Sequence, residues 1–365
     1  MSGVAHLLRP ELRDFTAYHA ASPRRGVVRL HANESSWRAD WDETSDGLNR
    51  YPDPRPAALV GALASLYGVA PGAVLATRGS DDAIDLLVRA FCRAGQDAVL
   101  VCPPTFGMYA VAARLQGAEV IEVPLKRNFA LDPEAIEAAV RPGVKLVFLC
   151  SPNNPTGSTI PRKVVDALCR ALDSHCVVVV DEAYVEFARD EGCASLLEAH
   201  PNLVLLRTLS KAWGLAGARI GALLADPELV AILRALAPPY PLPSLATEAA
   251  LRRLQPAEVV AARRHTAAVV RRRDALAKEL QALPCVRRAW PSDGNFLLVR
   301  FADAAAAMHA CEAAGVLVRD FSRQPRLRGC LRITVGTAAE NRRSLAALRK
   351  IAMKTAAKAA RNRHG

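Results

Sequence analysis

Four short segments of this 365-residue chain carry side chains suited to chemistry, and each ends or closely follows an apolar run. Ser151-Pro152-Asn153-Asn154-Pro155-Thr156-Gly157 follows 145–150, and Asp181-Glu182-Ala183-Tyr184 closes a run of four valines. Ser210-Lys211 follows 203–208, and Arg219 stands eight residues beyond the lysine. Taken alone, Lys211 could be a solvated surface charge. It lies, however, between an apolar run and Ala-Trp-Gly-Leu-Ala-Gly, a stretch with little to offer solvent. Apolar surroundings and nearby cations disfavour an ammonium, leaving an amine able to form a carbon–nitrogen double bond with an aldehyde.

Asp181 is either a cap or loop charge, or a carboxylate that needs a cationic partner, because burying it alone is costly. A protonated ring nitrogen would be such a partner. Tyr184, three residues on, and Asn154, from the neighbouring strand end, could both donate to a ring hydroxyl. Gly79-Ser80-Asp81 opens a helix-like stretch. It is either an ordinary N-cap or a cradle whose backbone N–H groups hold an anion. Ser210 and Arg219 offer the same anion a hydroxyl and a planar, bidentate cation. No G-x-x-x-x-G-K-[ST] occurs, and no G-x-G-x-x-G opens the first helix, so nucleotide chemistry is disfavoured.

Alternating elements must position these groups. Apolar runs predict strands at 98–102, 119–123, 145–150, 177–181, 203–208 and 220–224, with helices at 83–92, 107–116, 133–140 and 162–172 between them. Continuous apolar strands alternating with helices imply an α/β fold with a mostly parallel, doubly wound sheet. Ligands of such sheets gather at the carboxyl ends of the strands, where the four segments fall. After Pro238-Pro239-Tyr240-Pro241-Leu242-Pro243 the pattern changes. A long helical region over 244–283, strands at 295–301, 316–319 and 330–335, a helix at 304–314 and a last helix from about 340 predict a smaller α+β domain. The expected divisions are an N-terminal arm (1–30) packing with the small domain, a large domain (31–243), a small domain (244–352) and a disordered basic tail (353–365).

The net charge of +12 suits collection of small anionic substrates. No recognition module accompanies it, so nucleic acid is not an expected partner. Nine cysteines, none in a C-x-x-C pair, suggest buried free thiols in a reducing compartment and no metal site. No apolar run reaches membrane-spanning length and the first residues lack a signal-peptide core, so a cytoplasmic, soluble protein is expected.

The ordered set Asn154-Pro155-Thr156-Gly157, Asp181-x-x-Tyr184, Ser210-Lys211 and Arg219 resembles the fold-type-I aminotransferases that use pyridoxal 5′-phosphate (PLP). The resemblance covers nearly the whole chain. Its details are most similar to the histidinol-phosphate branch, through Leu30-His31-Ala32-Asn33-Glu34, Tyr51-Pro52-Asp53, Pro104-Thr105-Phe106-Gly107-Met108-Tyr109, Arg319-Asp320 and the segment from Gly329 to Gly336. Several roles follow from the resemblance. Lys211 forms the Schiff base and shuttles a proton; Asp181 holds the pyridinium; Asn154 and Tyr184 hold the ring hydroxyl. Tyr109 stacks on the ring, and Ser80, Asp81, Ser210 and Arg219 cradle the phosphate. Tyr51 reaches the cofactor phosphate of the partner subunit in a homodimer. Arg332 clamps the carboxylate of glutamate or 2-oxoglutarate, while Arg319 and Tyr18, with Asn33 near the mouth, hold the phosphate of histidinol phosphate. The Asn154–Pro155 bond is expected cis. This chain departs from the usual pattern at Asp82, at Ser35-Ser36-Trp37 and at Trp213, which stands where phenylalanine is common.

Overall fold

The computed structural model describes residues 4–12, 15, 18 and 27–361, with side chains through 351. The first helix, α1 (Ala57–Tyr67), leads into a repeating alternation: β1 (Val74–Thr77), α2 (Ser80–Phe91), β2 (Ala98–Val101), α3 (Met108–Leu115), β3 (Glu119–Glu122), α4 (Pro133–Ala139), β4 (Val144–Cys150), α5 (Arg162–Ala171) and β5 (Val177–Asp181). Then come β6 (Leu203–Thr208), β7 (Gly221–Leu224) and α6 (Pro227–Leu236). The strands form one seven-stranded sheet, ordered β1-β7-β6-β5-β4-β2-β3. Only β7 runs antiparallel to its neighbours, while β3, β2, β4, β5 and β6 pair in parallel. The central strands are apolar throughout because both faces are covered. Along β5, Val178 and Val180 join the core on one side and Val177 and Val179 the core on the other.

Beyond the proline cluster lie α7 (Ser244–Arg253), α8 (Pro256–Gln281), β8 (Val286–Ala289), β9 (Phe296–Phe301), α9 (Ala304–Ala313), β10 (Arg319–Asp320), β11 (Cys330–Thr334) and α10 (Ala338–Arg361). The four strands make a separate antiparallel sheet, ordered β10-β11-β9-β8. The helical region expected over 244–283 is therefore two helices. Pro256 opens the second, and proline suits a first helical turn but not an interior.

Three other expectations need correction. The strand expected over 316–319 is only Arg319–Asp320, since Gly315 at positive φ and the exposed Leu317 offer little to pair or bury there. Near the expected division, Ala246, Ala250 and Ala262 join a cluster that holds both Val178 and Val180 of the large sheet and Trp290, Leu298 and Cys330 from beyond it, while Leu276 and Leu280 join the core of the small sheet. Within the N-terminal arm, Val4, Ala5, Leu7 and Leu8 pack on the large domain, beside Ile84, Leu87 and Phe91. The Arg9 N–H there donates to the Ala90 carbonyl at 3.1 Å. The tail also differs, because α10 continues to Arg361, consistent with an Ala/Lys/Arg-rich sequence of high helix propensity. Residues 362–365 lie outside the described residues. No helix among those described is long and apolar enough to cross a membrane.

Candidate active site

The carboxyl ends of β1, β4, β5 and β6 meet along one edge of the large sheet. A cavity there is lined by Ser80, Asp81, Asn154, Asp181, Tyr184, Ser210, Lys211 and Arg219, all expected from sequence. Phe106, Cys150, Ala183 and Thr208 complete its wall.

Asp181 forms its floor and is 2% exposed. Its Oδ1 accepts the Ala183 N–H at 3.1 Å and its Oδ2 the Tyr109 hydroxyl at 2.8 Å. Burial raises the carboxyl to a pKa of about 6; the two donors pull the other way, and Asp81 and Glu182 add to the rise. A cationic ring nitrogen placed above would relieve that cost. The expectation for Tyr109 is corrected here. It does not line the cavity but stacks on Phe148, ring centroids 4.9 Å apart, with its hydroxyl turned to Asp181. Phe106, three residues earlier and ahead of the helix, takes the place on the cavity wall.

Lys211 is open to the cleft, yet enough protein surrounds its amine to disfavour the ammonium. Burial lowers its pKa first, then the Arg332 and Arg219 charges, against Asp81 and Asp181. Its Nζ lies 5.7 Å from the centroid of the Tyr184 ring. Trp213 anchors the loop. Its indole N–H donates to Glu186 Oε1 at 3.1 Å, and its carbonyl accepts from Arg253 at 2.9 Å. The tryptophan thus ties the lysine loop to the segment that carries Tyr184, which phenylalanine could not do through a hydrogen bond.

At the other end of the cavity α2 begins without a side-chain cap, since Gly79 precedes it at φ 78°. A Cβ on Gly79 would lie 2.7 Å from Arg219, and one on Gly221 would meet the Gly79 backbone at 2.7 Å. Both positions therefore need glycine for the helix start to approach β7 and the guanidinium. Arg219 reaches Ser210 Oγ and Asp81 Oδ2, each at 3.4 Å. Uncapped N–H groups, a hydroxyl and a guanidinium converge as an anion site.

Asn154 is buried between the sheets, and its Oδ1 accepts from Arg332 at 2.5 Å. Asn153 fixes that loop by donating to Pro104 O and Thr156 Oγ1, while Thr105 donates to Asn153 Oδ1. The Asn154–Pro155 bond is cis, as expected. Arg332 lies between Phe296 and Phe321, at 5.4 and 5.3 Å from their centroids. Its cross-strand partner is Arg319, so both guanidiniums project from one face of the small sheet, Arg332 half-buried and Arg319 exposed. Tyr18, Asn33 and Tyr51 are exposed and do not line the cavity of their own chain. Among the described residues no group of side chains could hold a metal ion.

Residues 28–348 match the family Aminotransferase class I and II. The chain belongs to that family. It is an aminotransferase whose cofactor is PLP, and the donor set just described fits that molecule: a buried carboxylate for the ring nitrogen, an uncapped helix start for the phosphate, an amine for the aldehyde. A histidinol-phosphate aminotransferase from Stenotrophomonas maltophilia is 51% identical over 351 residues, covering 94% of this chain and 96% of the relative. The crystal structure of the histidinol-phosphate aminotransferase of Sinorhizobium meliloti, in complex with pyridoxal-5′-phosphate, superposes with a TM-score of 0.75 at 28% identity, covering 84% and 83% of the two chains. An L-threonine-O-3-phosphate decarboxylase from Porphyromonas gingivalis has the same fold, with a TM-score of 0.70, 26% identity and 83% and 91% covered.

Proposed function

We propose that this aminotransferase moves an amino group between histidinol phosphate and 2-oxoglutarate, as a step of histidine biosynthesis. The observation that carries the reading is the cross-strand Arg319–Arg332 pair, whose inner member donates to Asn154 of the cavity wall, in a chain half identical to a histidinol-phosphate aminotransferase. Histidinol phosphate brings a phosphate and no carboxylate; glutamate brings carboxylates and no phosphate. Two guanidiniums at different depths can sort them, the deeper Arg332 taking the carboxylate and Arg319, with Tyr18, the phosphate, Asn33 lying near the mouth. The two partners occupy one pocket in turn, so the kinetics are ping-pong.

When bound, PLP supplies an electron sink for charge at the substrate α-carbon. Asp181 would hold the ring nitrogen, Asn154 and Tyr184 the ring hydroxyl, and Phe106 would cover a ring face. Ser80, Ser210 and Arg219 hold the phosphate together with the Asp81 backbone N–H, the Asp81 carboxylate being turned to Arg219. Lys211, its ammonium disfavoured, would take up and return the proton at the substrate α-carbon.

The reading includes a homodimer with shared sites, in which Tyr51 completes the phosphate cradle of the partner subunit. Tyr51 stacks on Tyr240 at 4.4 Å, away from its own cavity. Leu30, Trp37 and Trp41 leave apolar surface exposed on the same segment. A surface hollow walled by Pro243, Leu245 and Ala246 opens beside Asp81 and Arg219. Nine buried free thiols accord with a cytoplasmic location.

Purified enzyme given histidinol phosphate and 2-oxoglutarate is expected to release glutamate. No glutamate, with turnover of phenylalanine or carbon dioxide released from threonine phosphate, would replace this substrate by one of its rivals.

A further inference from the structure

Tyr109 lies behind the cavity, wholly enclosed, and its hydroxyl is its only side-chain polar atom. The ring packs well without it, stacked on Phe148 with 5° between planes and meeting Phe106 edge-on at 5.6 Å. Phenylalanine would fill the same space without a hydroxyl to desolvate. Burying a phenol is costly unless it finds a partner, and the partner here is Asp181 Oδ2 at 2.8 Å. The hydroxyl is therefore informative about Asp181 and not about packing.

We propose that Tyr109 is a positioning residue that keeps the Asp181 carboxylate ionised and oriented beneath the cofactor ring nitrogen. The proposal rests on the reading of Asp181 as that nitrogen's partner. A proton shared by a carboxylate and a pyridine in an enclosed site has two resting places. On nitrogen it leaves an ion pair; on oxygen it leaves a neutral pair, which a water-poor site favours. Donors to the carboxylate tip the choice back to the ion pair. Asp181 has two, the Ala183 N–H and the Tyr109 hydroxyl, one on each oxygen.

The other ionisable groups around Asp181 sharpen the need. Asp81 from α2 and Glu182 beside it on the chain both favour its protonation. Cys150, its register partner on β4, is pushed up to about 12 by burial and stays a neutral thiol. Burial likewise holds the Tyr184 phenol neutral. Lys211 faces the carboxylate across the cavity, but its ammonium is disfavoured and its amine is committed to the cofactor aldehyde. Of the side chains facing Asp181, Tyr109 supplies the hydrogen bond. With it removed, the proton moves from the ring nitrogen to Asp181, and the ring draws electrons less strongly. The Lys211 nitrogen joined to the cofactor then becomes more basic, and proton removal from the substrate α-carbon slows.

The test is Tyr109→Phe in the PLP-loaded enzyme, read by the pH midpoint of its visible absorbance change and by the rate of a single half-reaction with amino donor. The midpoint is expected to rise by about one unit, since one hydrogen bond to a carboxylate is worth about that much. The half-reaction is expected to slow about tenfold, with little change in donor affinity. Phe148→Leu controls for packing: it removes the ring stack, lowers stability, and is expected to leave the midpoint where it was. A Tyr109→Phe enzyme with the parent's midpoint and rate, or a Phe148→Leu enzyme whose midpoint moves as far, would overturn the proposal and leave the cofactor reading standing. A parent protein with no pH-sensitive visible band would remove that reading and the proposal together.

Discussion

On the floor of the cleft, Asp181, Asn154 and Tyr184 are buried at strand ends, and neighbouring side chains or backbone groups hold the first two by hydrogen bonds. On the rim, Arg319, Tyr18 and Asn33 are exposed, and Arg319 belongs to a strand of two residues. On the proposed reading, the floor would hold a cofactor that stays through every turnover, so rigidity there has no drawback. On the proposed reaction, the rim would admit and release two differently shaped anions, which buried, fully bonded side chains would hinder. Arg332 joins the two regions. It is half-buried between two phenylalanines yet shares a sheet face with Arg319, and its Nε is buried without a hydrogen-bond partner.

Substitutions on the floor should therefore disable the enzyme for every substrate, while those on the rim should discriminate between substrates. Lys211→Ala is expected to abolish the visible absorbance of the loaded protein and lower turnover by at least about four orders of magnitude. Turnover within tenfold of the parent would place the essential amine elsewhere. Arg332→Ala is expected to lower kcat/KM for both glutamate and histidinol phosphate, by about a hundredfold or more for the dicarboxylate. An equal loss for both would mean that the arginine supports Asn154 more than it binds carboxylate.

The third expectation concerns the cofactor-free protein. Burial raises the Asp181 carboxyl from its ordinary value of 3.8 to about 6. Between those values the folded chain holds a proton that the unfolded chain has released. Stability therefore falls as pH rises through that window, and the loss persists above it. Asp181→Asn removes the effect. Its stability relative to the parent, measured by denaturant unfolding, should grow from about pH 4 to about pH 6 and then level, by up to about 3 kcal/mol. A difference that does not vary with pH would mean the carboxylate is better solvated than its burial implies. Arg319→Ala should have the smallest effect, raising KM for histidinol phosphate about tenfold with glutamate unchanged. Equal effects on both substrates would end the division of labour between the arginines.

The same contrast governs what could be read from sequence. Asp181, Lys211, Ser210 and Asn154 stand where apolar runs break into polar clusters, and a parallel sheet places such breaks on one edge, so the gathering of eight candidate residues around one cavity was legible. Tyr109 was not, because spacing shows that an aromatic is near but not which way the chain turns it. Phe106 lies just before α3 and reaches the cavity, while Tyr109 in the first turn faces the sheet. The docking of Val4, Ala5, Leu7 and Leu8 was equally hidden, since a short apolar stretch does not name the surface that covers it. Trp213 could be noticed as a departure, but its reason, the Glu186 carboxylate beside it, exists only in three dimensions.

One experiment addresses the floor directly. The loaded enzyme would be reduced with borohydride, digested, and its peptides weighed to find the pyridoxyl group. The group is expected on the peptide containing Lys211, and its yield should fall to background in Lys211→Ala. Attachment to any other lysine, or an undiminished yield in the variant, would contradict the assignment of this cleft as the place where the cofactor is held.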